Sequence, residues 1–406
     1  MPSASLRKTQ VTPSLPSEIR KYGRFESVKC LNCGTCTITC DLTSDAASFP
    51  RRPIQFALLG LKEMVLEGLE PWLCHDCGDC STKCPQQAEP GDSMATLRRY
   101  LIAQYDWTGL SGRMFSSKAW AAGSLLITGF LVLLLAALYH VYAVGLSVGD
   151  LVSTPMKLDH MFGTITWFTL FVILVPFLIL LSHGYRMYRF TLGREAGASI
   201  PLPLLLSEAK MFFFHLSAQP GMKKCPEPER KNRRVKHLTL AAGCTLMLLI
   251  LVFALRWFQT DLPYPVYDPQ RWLGYLITAA LLYGAGDILI GHLQKKEPLH
   301  KRSDFADYVL PLLLFLTALS GISVHVLRYL AHGMETDGLS TAAHGYAMAT
   351  LFMYALHLAI AVPMLVIEMP FGRWSHMIYR PLALFFQAVR EKTAALNAPG
   401  EEKSAA

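Results

Sequence analysis

The chain has 406 residues, 52% of them hydrophobic and only 17% charged, with a formal net charge of +8 and a mean hydropathy of +0.30. This balance excludes an ordinary soluble enzyme, because so few charges cannot keep so much apolar side chain in water. The apolar residues are concentrated after residue 118, so a polar N-terminal part precedes a membrane part.

Residues 1–24 read as a polar, flexible lead. Two cysteine runs follow, Cys30, Cys33, Cys36, Cys40 and Cys74, Cys77, Cys80, Cys84, each spaced C-x2-C-x2-C-x3-C. In this spacing three thiolates from one tight loop reach three corners of a cubane [4Fe–4S] cluster, and in two-cluster ferredoxins the last cysteine of each run crosses to the other cluster. The expected sets are therefore Cys30, Cys33, Cys36 and Cys84 for one cluster, and Cys74, Cys77, Cys80 and Cys40 for the other. Gly34 and Gly78 fall where the backbone must pass close to sulfur. Structural zinc is the alternative, but it prefers two separated C-x2-4-C pairs to four cysteines within eleven residues. Nothing at the N-terminus resembles a secretory signal, so a disulfide framework is not expected. Cys225, in a basic loop, and Cys244, in an apolar stretch, read as ordinary cysteines.

Between the runs, Ile54 to Gly68 carries apolar residues at helical spacing without strand-like alternation, which predicts an α-helical ferredoxin domain over residues 25–105. Beyond it six stretches are long enough to cross about 30 Å of hydrocarbon. They are Ala119 to Val144, Phe162 to Leu181, Leu238 to Leu255, Trp272 to Ile290, Tyr308 to Leu330 and Tyr346 to Met369. The fold class is mainly α: a helical ferredoxin domain, a six-span bundle over residues 106–385, and a cytoplasmic tail over 386–406.

Eleven Lys/Arg, among them Arg186, Arg189, Arg233 and Arg234, lie in the connection from Gly184 to Lys236. Lys295, Lys296, Lys301 and Arg302 lie in the next connection on that side, and the opposite loops are nearly free of them. By the positive-inside rule this predicts a multi-pass protein of the cell (inner) membrane with its cysteine domain and both termini in the cytoplasm. Topology accounts for the net charge, so no nucleic-acid partner is called for. The segment Ile200 to Ala218 is too short to span, and fits either an interfacial helix or a surface helix.

Electrons reaching an apolar slab need carriers there, and haem b held by pairs of neutral imidazoles is the usual one. His357 sits near the middle of the last span, and His376 follows nineteen residues later, roughly 28 Å along a helix and so close to one hydrocarbon thickness. His237 opens the third span at the depth of His376, making these two the expected inner pair. The outer site would take His357 with His160 or His325, or with Met247 as an axial thioether. Asp287 and Glu368 fall within spans, either as proton relays for quinol oxidation or as carboxylates satisfied by nearby backbone or Arg373.

These residues resemble known families. Trp72-Leu73-Cys74-His75, Cys77-Gly78-Asp79-Cys80 and Pro90-Gly91-Asp92 are similar to the C subunit of heterodisulfide reductase. Leu356-His357-Leu358 and Pro370-Phe371, Arg373 and His376 resemble the last span of the cytochrome b gamma subunit of respiratory nitrate reductase. The two modules in this order resemble the C subunit family of the quinone-interacting membrane-bound oxidoreductase complex of sulfate reducers. Cys40 is followed by Asp41 where ferredoxin runs usually have proline, Met247 stands where the nitrate reductase family has a second histidine, and six spans replace five.

That resemblance implies oxidation of menaquinol or another membrane quinol through two haem b groups and two [4Fe–4S] clusters. It also implies partners: flavin and iron–sulfur subunits resembling heterodisulfide reductase A, and adenylylsulfate reductase beyond them. A heterodisulfide reductase-type protein feeding another cytoplasmic partner is the neighbouring reading, and a redox-sensing membrane anchor is the one from a different class.

Overall fold

The computed structural model describes residues 10–44, 48–145, 162–195, 200–218, 228–258, 264–295, 303–336 and 340–397, together with Ser147, His300 and Gly338. All its extended elements are helices, as the sequence predicts. Six short ones precede the membrane part: α1 (Leu15–Arg20), α2 (Thr35–Thr39), α3 (Arg51–Leu58), α4 (Lys62–Glu67), α5 (Glu70–Leu73) and α6 (Asp79–Thr82). Helix α7 (Pro90–Tyr105) opens on a proline, whose fixed φ suits the first turn. It buries Met94, Leu97 and Leu101 and also Thr96, Arg99, Tyr100, Ile102 and Tyr105, so it is enclosed on most of its circumference and runs through the core.

After α8 (Leu110–Ser116) come α9 (Lys118–Tyr142), α10 (Phe162–Glu195), α11 (Leu202–Ala218), α12 (Pro228–Leu249) with its continuation α13 (Leu255–Phe258), α14 (Pro269–Gln294), α15 (Phe305–Thr336) and α16 (Ser340–Pro363). The short α17 (Met369–Phe371) and long α18 (His376–Asn397) close the chain's described part. Six helical stretches are long and apolar enough to cross a membrane: Lys118–Tyr142, Thr166–Gly193, Asn232–Phe258, Pro269–Gln294, Phe305–Thr336 and Ser340–Phe371. They coincide with the six expected stretches. Their outward faces leave Leu126, Phe130, Trp167, Phe171 and Phe253 more than half exposed, a surface suited to hydrocarbon and costly in water. The first span packs closely on the last: a Cβ at Gly129 would stand 2.7 Å from the Ala359 carbonyl oxygen.

Helix α11 takes up most of the segment Ile200 to Ala218. It lies along α18, with Leu204 and Leu205 against the core and Lys392 Nζ donating to Glu208 Oε1 at 2.6 Å, while Leu206 and Phe213 stay exposed.

Two boundaries differ from the sequence reading. The lead is not free over its second half, since α1 inserts Leu15 and Ile19, both fully buried, into the ferredoxin core. The tail likewise continues α18 to Asn397, with Val389 fully buried. Two or three apolar residues in a polar stretch are a weak periodic signal, yet enough to seal a core that lies beside them.

That core joins both halves of the molecule. Trp72 on α5 and Tyr105 on α7 meet Tyr379 on α18 with ring centres 5.2 and 5.4 Å away, and Met187 and Leu192 of α10 belong to the same cluster. Beside it Arg99 on α7 donates to Asp304 at 2.5 Å and to Asp307 at 2.8 Å, and Arg373 also pairs with Asp307. The Arg99 and Asp307 side chains are 7% and 10% exposed, and removing one partner of such a pair leaves the rest desolvated without compensation. Replacing Arg99 with Ala should therefore cost about 3 kcal/mol, read as a lower midpoint of thermal unfolding in detergent and faster hydrogen exchange along α7. An unchanged melting curve would show that the aromatic cluster alone joins the halves.

Candidate functional site

The two cysteine runs fold alike. Asn32 and Asp76, each two residues after the first cysteine, take left-handed φ values of 58° and 54°, and Gly34 and Gly78 follow at 83° and 80°. Asn, Asp and Gly are the residues that tolerate this backbone region. The resulting turn directs backbone N–H groups at sulfur: Asn32 to Cys30 Sγ at 3.4 Å and Asp76 to Cys74 Sγ at 3.5 Å. Ala88 adds a third such contact, to Cys84 Sγ at 3.4 Å.

Cys30, Cys33, Cys36 and Cys84 line one small cavity together with Gly34 and Arg51. Cys80 lies near Cys74, Cys77 and Cys40 and also near Cys36 of the first run, and Cys40 lies near both Cys77 and Cys36. The first cavity thus gathers three sulfurs of the first run with Cys84 of the second, and the remaining sulfurs stand beside it. None of the nine described cysteines is in a disulfide. Among the described residues no three His, Cys, Asp or Glu side chains converge as they would on a single metal ion; the thiolates of a cubane each bind a different iron and need not do so. Burial pushes the Cys74 thiol up to about 12, so at neutral pH it holds its proton unless a metal replaces it. Cys225 lies outside the described residues, and Cys244 is a buried core thiol, as an ordinary cysteine would be.

The second run faces the membrane part. The Arg380 guanidinium donates to His75 Nδ1 at 2.7 Å, Arg233 donates to the Asp76 carbonyl at 3.0 Å, and Arg98 pairs with the Asp76 carboxylate. Burial, reinforced by the Arg380 charge, lowers His75 to about 4, so its ring is a neutral acceptor. Although burial opposes ionisation of Asp76, the Arg98 and Arg233 charges hold it below the usual carboxylate range.

His237 on α12 and His376 at the start of α18 lie across from one another with ring centres 6.5 Å apart. Two imidazoles ligating one metal ion, with bonds of about 2 Å each, put their ring centres on the order of 6 Å apart. His376 Nδ1 meets the Arg373 carbonyl at 2.5 Å, which fixes the tautomer that leaves Nε2 for a metal. Burial lowers His376 to about 3, so the ring is the neutral form that binds iron. His237 Nδ1 is buried and has no hydrogen-bond partner among the described residues. Cavities of about 330 and 390 Å³ adjoin the pair, both lined by His75, His237, His376 and Arg380. Each is within the range of small-molecule and cofactor sites, about 300–1,000 Å³, and on these observations the residues fit a haem.

The outer site is less assembled. His357 Nδ1 meets Ser320 Oγ at 3.0 Å, and a Cβ at Gly321 would approach its ring to 3.3 Å, so this glycine makes room for the imidazole. His325 is held by the Tyr275 hydroxyl at 2.7 Å and packs on Tyr329. Among the described residues His357 makes no ring contact with another histidine. Met247 is packed, partly buried, in the bundle core, and His160 lies outside the described residues. The two acids are locally satisfied: Asp287 pairs with Lys236 at 2.6 Å, and Glu368 accepts the Arg373 backbone N–H at 2.8 Å. The His75–Arg380, Ser320–His357 and Tyr275–His325 contacts escaped the sequence reading, since no spacing signals partners so far apart in the chain.

Comparison with known proteins agrees with this picture for the N-terminal part. Residues 26–88 match the family described as a 4Fe-4S dicluster domain, so this region is an iron–sulfur domain. Over 159 residues the chain is 26% identical to a protein of Archaeoglobus profundus described as like the C subunit of heterodisulfide reductase, covering 38% of this chain and 74% of that one. It is 29% identical over 122 residues to the second iron–sulfur C protein of the CoB–CoM heterodisulfide reductase of Methanocaldococcus jannaschii, covering 28% and 64%. It is 36% identical over 75 residues to the C2 component of the H2/formate:CoB-CoM heterodisulfide,ferredoxin reductase of Methanococcus maripaludis, covering 18% and 40%. The chain thus spans between two fifths and three quarters of the length of these three relatives. No solved structure matches it.

Crossed ligation makes a prediction at single residues. Cys84→Ser should remove the cluster of the first run and Cys40→Ser that of the second, each lowering cluster iron from about eight to about four per chain, read by iron analysis and by electron paramagnetic resonance of the reduced protein. Loss in each variant of the cluster belonging to its own run would reverse the assignment.

Proposed function

We propose that this chain is the membrane electron-transfer subunit of a quinone-linked oxidoreductase. In this reading it oxidises quinol through two haem b groups and delivers electrons through two [4Fe–4S] clusters to a soluble reductase. The observation that carries the reading is the His237–His376 pair, set at metal-ligating separation beside the loop of the second cysteine run. Haem and iron–sulfur clusters, when bound, supply one-electron carriers; oxidation of each quinol releases two electrons and two protons.

The chain's own residues have definable tasks. His237 and His376 offer neutral imidazoles at the inner site, and His357 offers one deep in the last span, its ring oriented by Ser320. His160, His325 or Met247 is the partner of His357. Cys30, Cys33, Cys36 and Cys84, and Cys74, Cys77, Cys80 and Cys40, hold the clusters, while backbone N–H groups directed at their sulfurs favour the reduced state. Basic residues of the connection from Gly184 to Lys236, between the second and third spans, touch the cysteine domain: Arg186 donates to the Gln104 carbonyl at 3.1 Å and Arg233 to that of Asp76. This contact supports placing the cysteine domain on the positive, cytoplasmic side.

The soluble partners would be flavin and iron–sulfur subunits resembling heterodisulfide reductase A, with adenylylsulfate reductase as terminal acceptor. The names of the three relatives favour a second destination, a heterodisulfide reductase. Quinol-dependent reduction by membranes containing the complex, assayed with adenylylsulfate and with a heterodisulfide in turn, separates the two.

Purified in mild detergent, the chain should show a b-type absorbance band that quinol reduces. His237→Ala and His376→Ala should each lose the same haem, halving the band, while retaining the cluster signals. A chain without such a band, or two variants that lose different haems, would contradict the reading.

A further inference from the structure

Arg380 spends its hydrogen bond on an imidazole and not on a carboxylate: its guanidinium donates to Nδ1 of His75 at 2.7 Å. It lines both cavities beside the histidine pair. The nearby carboxylate of Asp76 is engaged by Arg98, and that of Asp307 by Arg99 and Arg373. Burial and the Arg98 charge work against the charge on Arg380. A guanidinium so placed costs free energy unless an anion faces it.

Its position in the helix says where that anion would stand. Arg380 follows His376 by four residues on α18, so the two side chains share a face. The same cavity wall carries Arg98, Arg99, Arg233, Lys236 and Arg373 against the three carboxylates Asp76, Asp287 and Asp307. Positive charge therefore exceeds negative around a space whose other feature is the facing His237–His376 pair. A planar guanidinium fork matches a carboxylate, and haem b is a ligand that needs imidazoles on its iron and bears two carboxylates at one edge.

We propose that Arg380 binds a carboxylate of the haem ligated by His237 and His376, and that its bond to His75 seats the Cys74 cluster loop against that edge of the haem. This rests on the haem reading above and adds to it an anchor and a contact that cysteine and histidine spacing did not suggest. It places the Cys40, Cys74, Cys77 and Cys80 cluster next to the membrane site, and the Cys30, Cys33, Cys36 and Cys84 cluster, whose Cys33 is exposed, beyond it. Arg380 is thus a binding residue for the cofactor, and His75 a positioning residue for the loop.

The test compares Arg380→Gln and Arg380→Lys in the full chain within its membrane complex, by haem content and by redox titration of the b band. Removing a positive charge beside the haem favours its oxidised form. Arg380→Gln should therefore lower the midpoint potential of the haem that His376→Ala removes, or release that haem, while Arg380→Lys keeps it near the wild-type potential. His75→Phe should leave haem content unchanged and slow reoxidation of that haem by the clusters after rapid mixing with quinol. Equal behaviour of the glutamine and lysine variants, both unchanged or both without the haem, overturns the proposal, because charge is what the anchor supplies. A wild-type chain with no b band overturns the haem reading itself, an outcome distinct from an intact band that ignores Arg380.

Discussion

Arg99, Asp304, Asp307 and Arg373 form the interaction on which the rest of the arrangement depends. Arg99 belongs to the iron–sulfur half, Asp304 and Asp307 to the start of the fifth span, and Arg373 to the break that leads into His376. Buried charges in contact require close geometry, since each is costly once its partner moves. The network therefore fixes the angle at which the cysteine domain meets the bundle. The aromatic cluster of Trp72, Tyr105 and Tyr379 supplies apolar area at the same junction, and the candidate cofactor cavity lies between the two.

From that junction the chemistry can be followed outward in both directions. Towards the bundle, Arg373 contributes its carbonyl to His376 and its backbone N–H to Glu368, so one residue orients the imidazole and satisfies a buried carboxylate. The turn Met364–Glu368, with its wider helical winding, falls immediately before this break, and such turns are frequent at functional sites. Towards the cysteine domain, Asp76 lies between the Arg98 guanidinium and the sulfur of Cys74. Charge, ring orientation and sulfur hydrogen bonding are thus parts of one connected set of contacts.

Much of the site was legible because its parts are local. A C-x2-C-x2-C-x3-C run is a short loop, and its Asn32, Asp76, Gly34 and Gly78 turns are built from residues within the loop itself. The six long apolar stretches were equally plain, since hydropathy is a property of contiguous sequence. Depth along two spans, a one-dimensional quantity because helices advance uniformly, sets His237 level with His376, and their ring centres lie 6.5 Å apart. The same argument gave no unique partner for His357, because several side chains sit at that depth and only lateral position separates them.

What escaped was lateral and distant. Leu15 and Ile19 looked like part of a flexible lead until the ferredoxin core closed over them, and residues beyond 386 looked like a tail until α18 carried Val389 into that core. His75 and Arg380 are separated by 305 residues, and neither belongs to a motif that names the other. Periodicity and spacing are enforced by the local backbone and could be read from the chain: helices, spans, cluster loops and the sign of each connection. Which buried charge finds which partner is settled by packing between elements remote in sequence, where desolvation makes each pairing depend on the whole surrounding cavity.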